Sequence, residues 1–355
     1  MRYNDTPNRL LYPILLIFVK NERHFFNEPN WQKELSGAVS DVASLYQLLE
    51  LPLPEQVHTP NKFPLRVPHA FINKMKKGDP NDPLLRQILP DIAESLPVAG
   101  YTADPLGENA HNPIKGLLHK YQSRALITVT GACAVHCRYC FRQHFDYGVN
   151  LPNSQDIRQI CHYIANDKRI NEVLLSGGDP LNINNRRFNE WIGVLSAIDN
   201  IKTIRIHTRL PAILPNRVDD ELIEILANCP KNIIMVLHIN HPNEIDDALA
   251  QKCQILKNHG VVLLNQSVLL KGVNDNVETL CQLSHALFGI GVMPYYLHVL
   301  DKVAGSAHFD LPIDRAIQIY WQLLEKLSGY LVPKLVQEMA GKPYKVPIDI
   351  YPSPP

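Results

Sequence analysis

ALITVTGACAVHCRYCFRQ occupies residues 125–143, and its two halves differ in kind. The first six residues are apolar or β-branched and contain no breaker, which is the composition of a buried strand. The rest opens with Gly131 and gathers Cys133, Cys137 and Cys140 within eight residues, a C-x3-C-x2-C spacing. A strand that delivers three thiols at its C-terminal end is the point from which the remainder of the chain is read.

Five further runs of strand composition follow: EVLLS (172–176), TIRIHT (203–208), NIIMVLHI (232–239), VVLLNQSVLL (261–270) and PYYLHVL (294–300). Amphipathic stretches of helix length separate them, among them SQDIRQICHYIAN, RRFNEWIGVLSAI, DDELIEILAN, EIDDALAQKCQILKNHG and NVETLCQLSHALF. Near-continuous apolar strands alternating with helices predict an α/β fold whose parallel sheet is covered on both faces. Six such units form either a partial (β/α)6 barrel or a doubly wound open sheet, and periodicity does not separate the two. Upstream, WQKELSGAVSDVASLYQLLEL (31–51) has helical spacing, and the region around it reads as helical and irregular. The expected layout is an accessory segment at 1–27, a helical N-terminal region at 28–110, the barrel at 111–301 and a C-terminal helix with its tail at 302–355.

Composition narrows the function classes. With 355 residues and 45% apolar content the chain can bury a large core. Lysine plus arginine balance aspartate plus glutamate at 35 each, so no global charge draws it to nucleic acid or to an anionic membrane. Besides the clustered three, Cys161, Cys229, Cys253 and Cys281 lie singly in helix-like segments, where cysteine serves as a small apolar residue. No disulfide framework is suggested, and a reducing, cytoplasmic compartment is expected. LLYPILLIFV (10–19) is too short to span a bilayer, contains Pro13, and meets no small-residue cleavage site before Lys20-Asn21-Glu22-Arg23.

The chemically capable residues fall at one end of the expected strands. Cys133 follows the first, Ser176-Gly177-Gly178-Asp179 the second, and His207 and Arg209 the third. His238, Asn240 and His241 close the fourth, Gln266 lies in the fifth, and Asp301 ends the sixth. The C-terminal rim is where β/α barrels and open α/β sheets assemble their sites. Three cysteines on one loop are one short of a closed zinc site, which His136 or His144 would complete. They also suit a 4Fe–4S cluster with one iron left open to a small molecule. C-x3-C-x2-C after a buried strand resembles the signature of the radical S-adenosylmethionine (radical SAM) superfamily. In that superfamily a Gly-Gly-Glu or Gly-Gly-Asp turn, similar to Gly177-Gly178-Asp179, receives the methionine amino group of S-adenosylmethionine.

CAVHCRYCFR, LLSGGDPL, HINHPNEI, NQSVLLKGVND and MPYYLHVLD occur in the order and spacing of the lysine 2,3-aminomutase family, and the chain resembles that family from about residue 100 to 350. The resemblance implies a partial radical SAM barrel and two further cofactors beside the cluster, S-adenosylmethionine and pyridoxal 5′-phosphate (PLP). It implies that Cys133, Cys137 and Cys140 hold the cluster. Ser176, Gly177, Gly178, Asp179, His238 and Gln266 lie near S-adenosylmethionine, and Tyr121 and Arg124 near the PLP ring and phosphate. Lys345, in a short C-terminal segment, is the expected PLP lysine, with Lys342 second. Arg142 matches the substrate-carboxylate arginine, and Asp301 and Glu338 match the acids that receive the side-chain ammonium. Three departures stand out: glutamate at 338 where aspartate is usual, Lys120 where arginine is common, and a glycine run reduced to Gly341. The implied reaction moves the amino group of L-lysine from the α to the β carbon after a 5′-deoxyadenosyl radical removes a hydrogen atom.

LRVPHAFINKMKKGDPNDPLLRQILP (65–90), the short tail after Lys345 and Glu338 resemble the branch of the family that supplies (R)-β-lysine for elongation factor P. The partners this implies are free L-lysine, a one-electron donor such as flavodoxin or ferredoxin, and, functionally, elongation factor P with its lysyl ligase. A homo-oligomer is compatible with it; neither nucleic acid nor membrane is expected. A catabolic lysine or glutamate aminomutase, or a radical SAM enzyme with another substrate, is the alternative.

Overall fold

The computed structural model describes residues 30–54 and 63–350. The segment expected to be accessory, 1–27, lies outside the described residues. Among the described residues nine strands form one sheet: β1 (Leu117–Tyr121), β2 (Arg124–Thr130), β3 (Glu172–Gly177), β4 (Thr203–Thr208), β5 (Asn232–His238), β6 (Val262–Val268), β7 (Met293–His298), β8 (Lys334–Gln337) and β9 (Val346–Pro347). Their order in the sheet is their order in the chain. All pairs from β2 to β8 are parallel, and β1/β2 and β8/β9 are antiparallel.

That order decides between the two expected topologies. A doubly wound sheet reverses strand order at a switch point. Here each strand pairs with its predecessor throughout, which is the progression of a barrel, left open because β1 and β9 are edges. The six expected strands are β2–β7, displaced by at most two residues at their ends. The crossovers α3 (Ser154–Asn166), α4 (Asn185–Ser196), α5 (Asp220–Ala227), α6 (Asp247–Asn258) and α7 (Val277–Gly289) follow α1 (Trp31–Ser36) and α2 (Val42–Leu48). Each crossover is started by an Asn or Asp cap, at Asn153, Asn184, Asp219, Asp246 and Asn276. Those side chains accept from first-turn N–H groups that would otherwise have no partner.

Strand burial explains the parallel pattern. Ile204, Ile206, Met235 and Leu237 are fully buried on neighbouring β4 and β5, and one cluster joins them to helix residues Leu195, Leu226 and Leu256. Trp31, Leu35 and Leu45 of α1 and α2 pack in that same cluster, so the N-terminal helices close one side of the barrel core. Cys253 and Cys281 are buried and Cys161 and Cys229 half-buried among apolar neighbours, all as free thiols.

The chain adds elements that periodicity does not reveal. HKYQSR, which reads as an entry to the first strand, is the hairpin between β1 and β2, with Tyr121 paired to Arg124. After β7, α8 (Ile313–Lys326) crosses over to β8, a seventh parallel strand, and β9 folds back on it. In this hairpin Gln337 pairs with Val346. The tail is thereby drawn back over the C-terminal rim.

Candidate active site

The loop after β2 carries the three thiols against the turn after β3. Gly178 N donates to Thr130 O at 2.6 Å and Asp179 N to Ala132 O at 3.0 Å. A Cβ on Gly178 would lie 2.6 Å from Ala132 O, and one on Gly177, at φ +110°, 2.7 Å from Thr130 O. The two glycines are therefore needed for the turn to meet the cysteine loop, whatever else approaches them. Asp179 braces the turn from the other side. Its carboxylate accepts from Thr208 Oγ1 at 2.7 Å and from the N–H groups of Leu181, Arg209 and Leu210 at 3.0, 2.8 and 2.9 Å. All its strong acceptor positions are used within the protein, so a ligand arriving at this turn meets backbone.

Burial pushes the Cys133 thiol well above its usual range and the Cys140 thiol up to about 12, and the neighbouring thiols add to both shifts. A bound cation offsets such a penalty, because a coordinating thiol is deprotonated outright. The two histidines that would complete a zinc site face elsewhere. His136 Nδ1 lies 2.7 Å from Pro64 O with its ring stacked on Phe63, and His144 Nε2 lies 2.9 Å from Ala304 O. Among the described residues no three His, Cys, Asp or Glu side chains converge on a single metal-ion position. A 4Fe–4S cube takes its thiolates at three separate irons and has no need of that convergence.

Behind the cysteine loop lies a buried polar cage. Arg209, at the end of β4, donates from Nη1 to Cys137 Sγ and to Tyr139 Oη, both at 2.8 Å. Its Nη2 donates to Gln87 Oε1 at 2.7 Å and to Glu244 Oε2 at 3.0 Å. Asn240 Nδ2 completes the cage at Gln87 Oε1 and Tyr139 Oη, 2.9 and 2.7 Å away.

Arg142, just past Cys140, is held by a residue that sequence reading passes over. Its Nε and Nη2 donate to the two oxygens of Glu108 at 2.7 and 2.8 Å, and Nη1 donates to Ser176 Oγ at 3.2 Å. Asp146, the nearest acid in sequence, instead caps the turn of helix that follows and accepts from Val149 N. The fork on Glu108 leaves N–H groups on Nη1 and Nη2 for a second carboxylate.

The far wall is built by the two hairpins. Glu338 accepts from Lys345 Nζ at 2.7 Å through one oxygen and from the Tyr121 hydroxyl through the other. Arg124 lies over the Tyr121 ring, its Cζ 4.1 Å from the centroid. Lys345 is half-buried and lines the cavity, whereas Lys342 is exposed and does not. Asp301 Oδ1 is buried with no hydrogen-bond partner among the described residues. Burial pushes its carboxyl up to about 7, with Lys345 pulling the other way and Glu338 reinforcing burial.

The floor carries His207, His238 and His298, from β4, β5 and β7. The Nε2 of each is buried without a partner among the described residues. Burial holds all three rings neutral: the His238 pKa falls to about 3, and those of His207 and His298 fall well below the usual value. Gln266 sits beside His238 through β5–β6 pairing.

One cavity unites these walls. Cys133, Cys137, Cys140, Tyr121, Arg124, Arg142, Ser176, Gly177, Gly178, Asp179, His238, Gln266, Asp301, Glu338 and Lys345 all line it. So do Lys120, Glu108, Arg209, His207 and His298. Glu108 has its partner far away in sequence, which is why it does not stand out in the chain; Arg209 stands out only as a strand-end residue, because its partners are distant as well. Sequence spacing marks His207 as a rim residue, and His298 carries no separate signal. Orphaned polar atoms at Asp301 and three imidazoles, beside three thiols and an anchored arginine, are acceptors and donors that fit a charged ligand set larger than one small molecule.

An open barrel of parallel strands with three thiols on the first rim loop defines a class, and residues 127–283 match the Radical SAM superfamily. The chain is also 47% identical over 325 residues to the L-lysine 2,3-aminomutase of Escherichia coli K12, covering 90% of this chain and 95% of that protein. It is 46% identical to the L-lysine 2,3-aminomutase of Haemophilus influenzae, with 90% and 95% covered, and 33% identical to that of Clostridium subterminale, with 90% and 77% covered. A radical SAM methyltransferase from Sphaerobacter thermophilus superposes with a TM-score of 0.45 at 18% identity, covering 62% of this chain and 68% of that one, too distant to add to the assignment. The chain belongs to the lysine 2,3-aminomutase family of radical SAM enzymes, a family of isomerases. No helix among the described residues is long and apolar enough to cross a membrane.

Proposed function

We propose that this protein converts free L-lysine to (R)-β-lysine with a 4Fe–4S cluster, S-adenosylmethionine and PLP, and that the product serves the modification of elongation factor P. The observation that carries the reading is one cavity lined both by the three thiols and by Lys345, together with residues of β1 to β7. When bound, the cluster and S-adenosylmethionine supply a carbon-centred radical, and PLP supplies a conjugated system that eases the shift of nitrogen.

The residues divide that work. Cys133, Cys137 and Cys140 would hold the cluster. The turn at Ser176, Gly177, Gly178 and Asp179 receives the methionine amino group on its backbone, with His238 and Gln266 beside the same ligand. Lys345 would carry PLP covalently, with Tyr121 near its ring and Arg124 at its phosphate. The free N–H groups of Arg142 take the lysine carboxylate, with the guanidinium already fixed by Glu108. Asp301 and Glu338 receive the side-chain ammonium, and an ammonium beside Asp301 would hold that buried carboxyl ionised. Neutral imidazoles and apolar walls exclude water from the radical.

The elongation factor branch is supported by the resemblance of the 65–90 region and by Glu338. Free thiols throughout the described chain suit work in the cytoplasm, with flavodoxin or ferredoxin as electron source.

The test is anaerobic reconstitution with iron and sulfide, then incubation with lysine, S-adenosylmethionine, PLP and reductant. The expected product is β-lysine, and an elongation factor P ligase should transfer it in a coupled assay. 5′-Deoxyadenosine without β-lysine would point to another substrate, and β-lysine that the ligase refuses would point to the catabolic branch.

A further inference from the structure

Arg209 belongs to no group of residues that the expected chemistry requires. It is only 6% exposed, and its guanidinium donates directly to the sulfur of Cys137 at 2.8 Å. Burying a guanidinium is costly unless its charge is matched and its N–H groups are used. The cage meets both demands. Glu244, fully buried, supplies the countercharge through Oε2, and its Oε1 accepts from Gln87 Nε2 at 3.3 Å and from the N–H groups of Asn240 and His241 at 2.9 and 3.1 Å. Gln87 comes from the N-terminal region, Tyr139 from the cysteine loop, Arg209 from the end of β4 and Asn240 from just past β5. Four distant segments thus hold one cation against one thiol of the three. Among the described residues neither Cys133 nor Cys140 has an arginine donating to its sulfur.

We infer that Arg209 is a positioning residue for the iron–sulfur cluster, which sets the ease of its one-electron reduction through the hydrogen bond to Cys137. A cation and an N–H donor at a ligand sulfur stabilise the extra negative charge of the reduced cluster. The electron comes from an external one-electron donor and resides on the cluster, and no bond of the protein changes. Glu244 acts in the opposite sense, because its charge offsets part of the arginine's. The pair therefore defines a balance that either substitution alters, each with its own sign.

The inference rests on the reading that the three cysteines carry a 4Fe–4S cluster, and the two can fail separately. Wild type and variants are reconstituted, assayed for iron and sulfide, and titrated with redox mediators without S-adenosylmethionine, the reduced cluster being followed by electron paramagnetic resonance. Arg209→Gln should be harder to reduce, with about a tenfold smaller reduced-to-oxidised ratio at fixed potential, or ~59 mV for one electron. Glu244→Gln, which keeps the sulfur bond, should shift the other way. Arg209→Lys, with charge but no fork, should fall between wild type and Arg209→Gln. If Arg209→Gln loses its cluster because Glu244 is left unpaired, the double variant Arg209→Gln/Glu244→Gln removes both charges and is read instead, with a smaller shift of the same negative sign expected because the hydrogen bond to Cys137 is still lost. Loaded variants with the wild-type midpoint, or shifts of one sign for both single substitutions, would overturn the inference. Wild type with no iron or sulfide would overturn the cluster reading itself.

Discussion

Lys345 and Glu338 face each other across the β8–β9 hairpin, with Nζ 2.7 Å from Oε2. The register that pairs Gln337 with Val346 puts these two opposite, seven residues apart in the chain. Lys342 shares the same short segment but is exposed. Lys345→Ala should therefore abolish the covalent PLP chromophore and the label trapped by borohydride, whereas Lys342→Ala should keep both. A trapped label on the Lys342 peptide would reverse the assignment.

Asp301 makes the pocket sensitive to pH. Its folded pKa is about 7 against an ordinary 3.8, so between these values the folded chain holds a proton that the unfolded chain has released. Stability consequently falls as pH rises from about 4 to 7, and the full penalty is present at pH 8. Lys345, Glu338, Glu108 and Lys120 are the charges that act on it. Asp301→Asn should make the cofactor-free protein more stable than wild type at pH 8, by roughly 2–4 kcal/mol, and no different near pH 4. Urea unfolding at the two pH values checks this, and the variant should lose lysine binding despite its greater stability.

The Arg142–Glu108 pair predicts the opposite dependence. Burial alone would raise the Glu108 carboxyl, but Arg142 and Lys120 outweigh it and hold the carboxyl below its usual value. Its contribution is present above the unfolded pKa and lost as pH falls through the folded one. Glu108→Gln strands a buried guanidinium and should cost about 3–5 kcal/mol at pH 7. The gap between wild type and variant in urea should narrow as pH falls below about 4.

Gly178 is a test of the turn. A methyl group there meets Ala132 O at 2.6 Å and the carbonyl carbon of Gly131 at 2.7 Å, both backbone atoms that cannot swing aside. Gly178→Ala should push the cysteine loop away, cost about 1–3 kcal/mol, and lower the iron retained after reconstitution. Gly193, on the outer helix α4, has nothing within 4 Å of its ideal Cβ, so Gly193→Ala is the control and should retain full iron.

Much of this arrangement is written locally and is readable as such. β2 to β7 declare themselves by apolar composition, and Cys133, Ser176, His207, His238 and Asp301 by falling at strand ends. The barrel could not be told from a doubly wound sheet because strand order is a property of pairing between segments, which no local period records. β1 is half polar because one side of its hairpin faces the cavity, and β9 has only two residues. Glu108 escaped notice for the same reason, and Arg209, readable as a strand-end residue, gave no sign of the partners it meets. Their meaning lies in partners at Arg142, Cys137, Gln87 and Glu244, which only the closed fold brings within hydrogen-bonding distance.

The central claim is that nitrogen migrates within a lysine held in the cavity that the three thiols and Lys345 share. It is tested most directly with L-lysine labelled with 15N at the α-amino group, incubated anaerobically with the reconstituted protein, S-adenosylmethionine, PLP and reductant. The account predicts (R)-β-lysine with the label on the C3 amino group, and none from Cys137→Ala or Lys345→Ala. Full 5′-deoxyadenosine formation with the label still at C2 of unchanged lysine would contradict it.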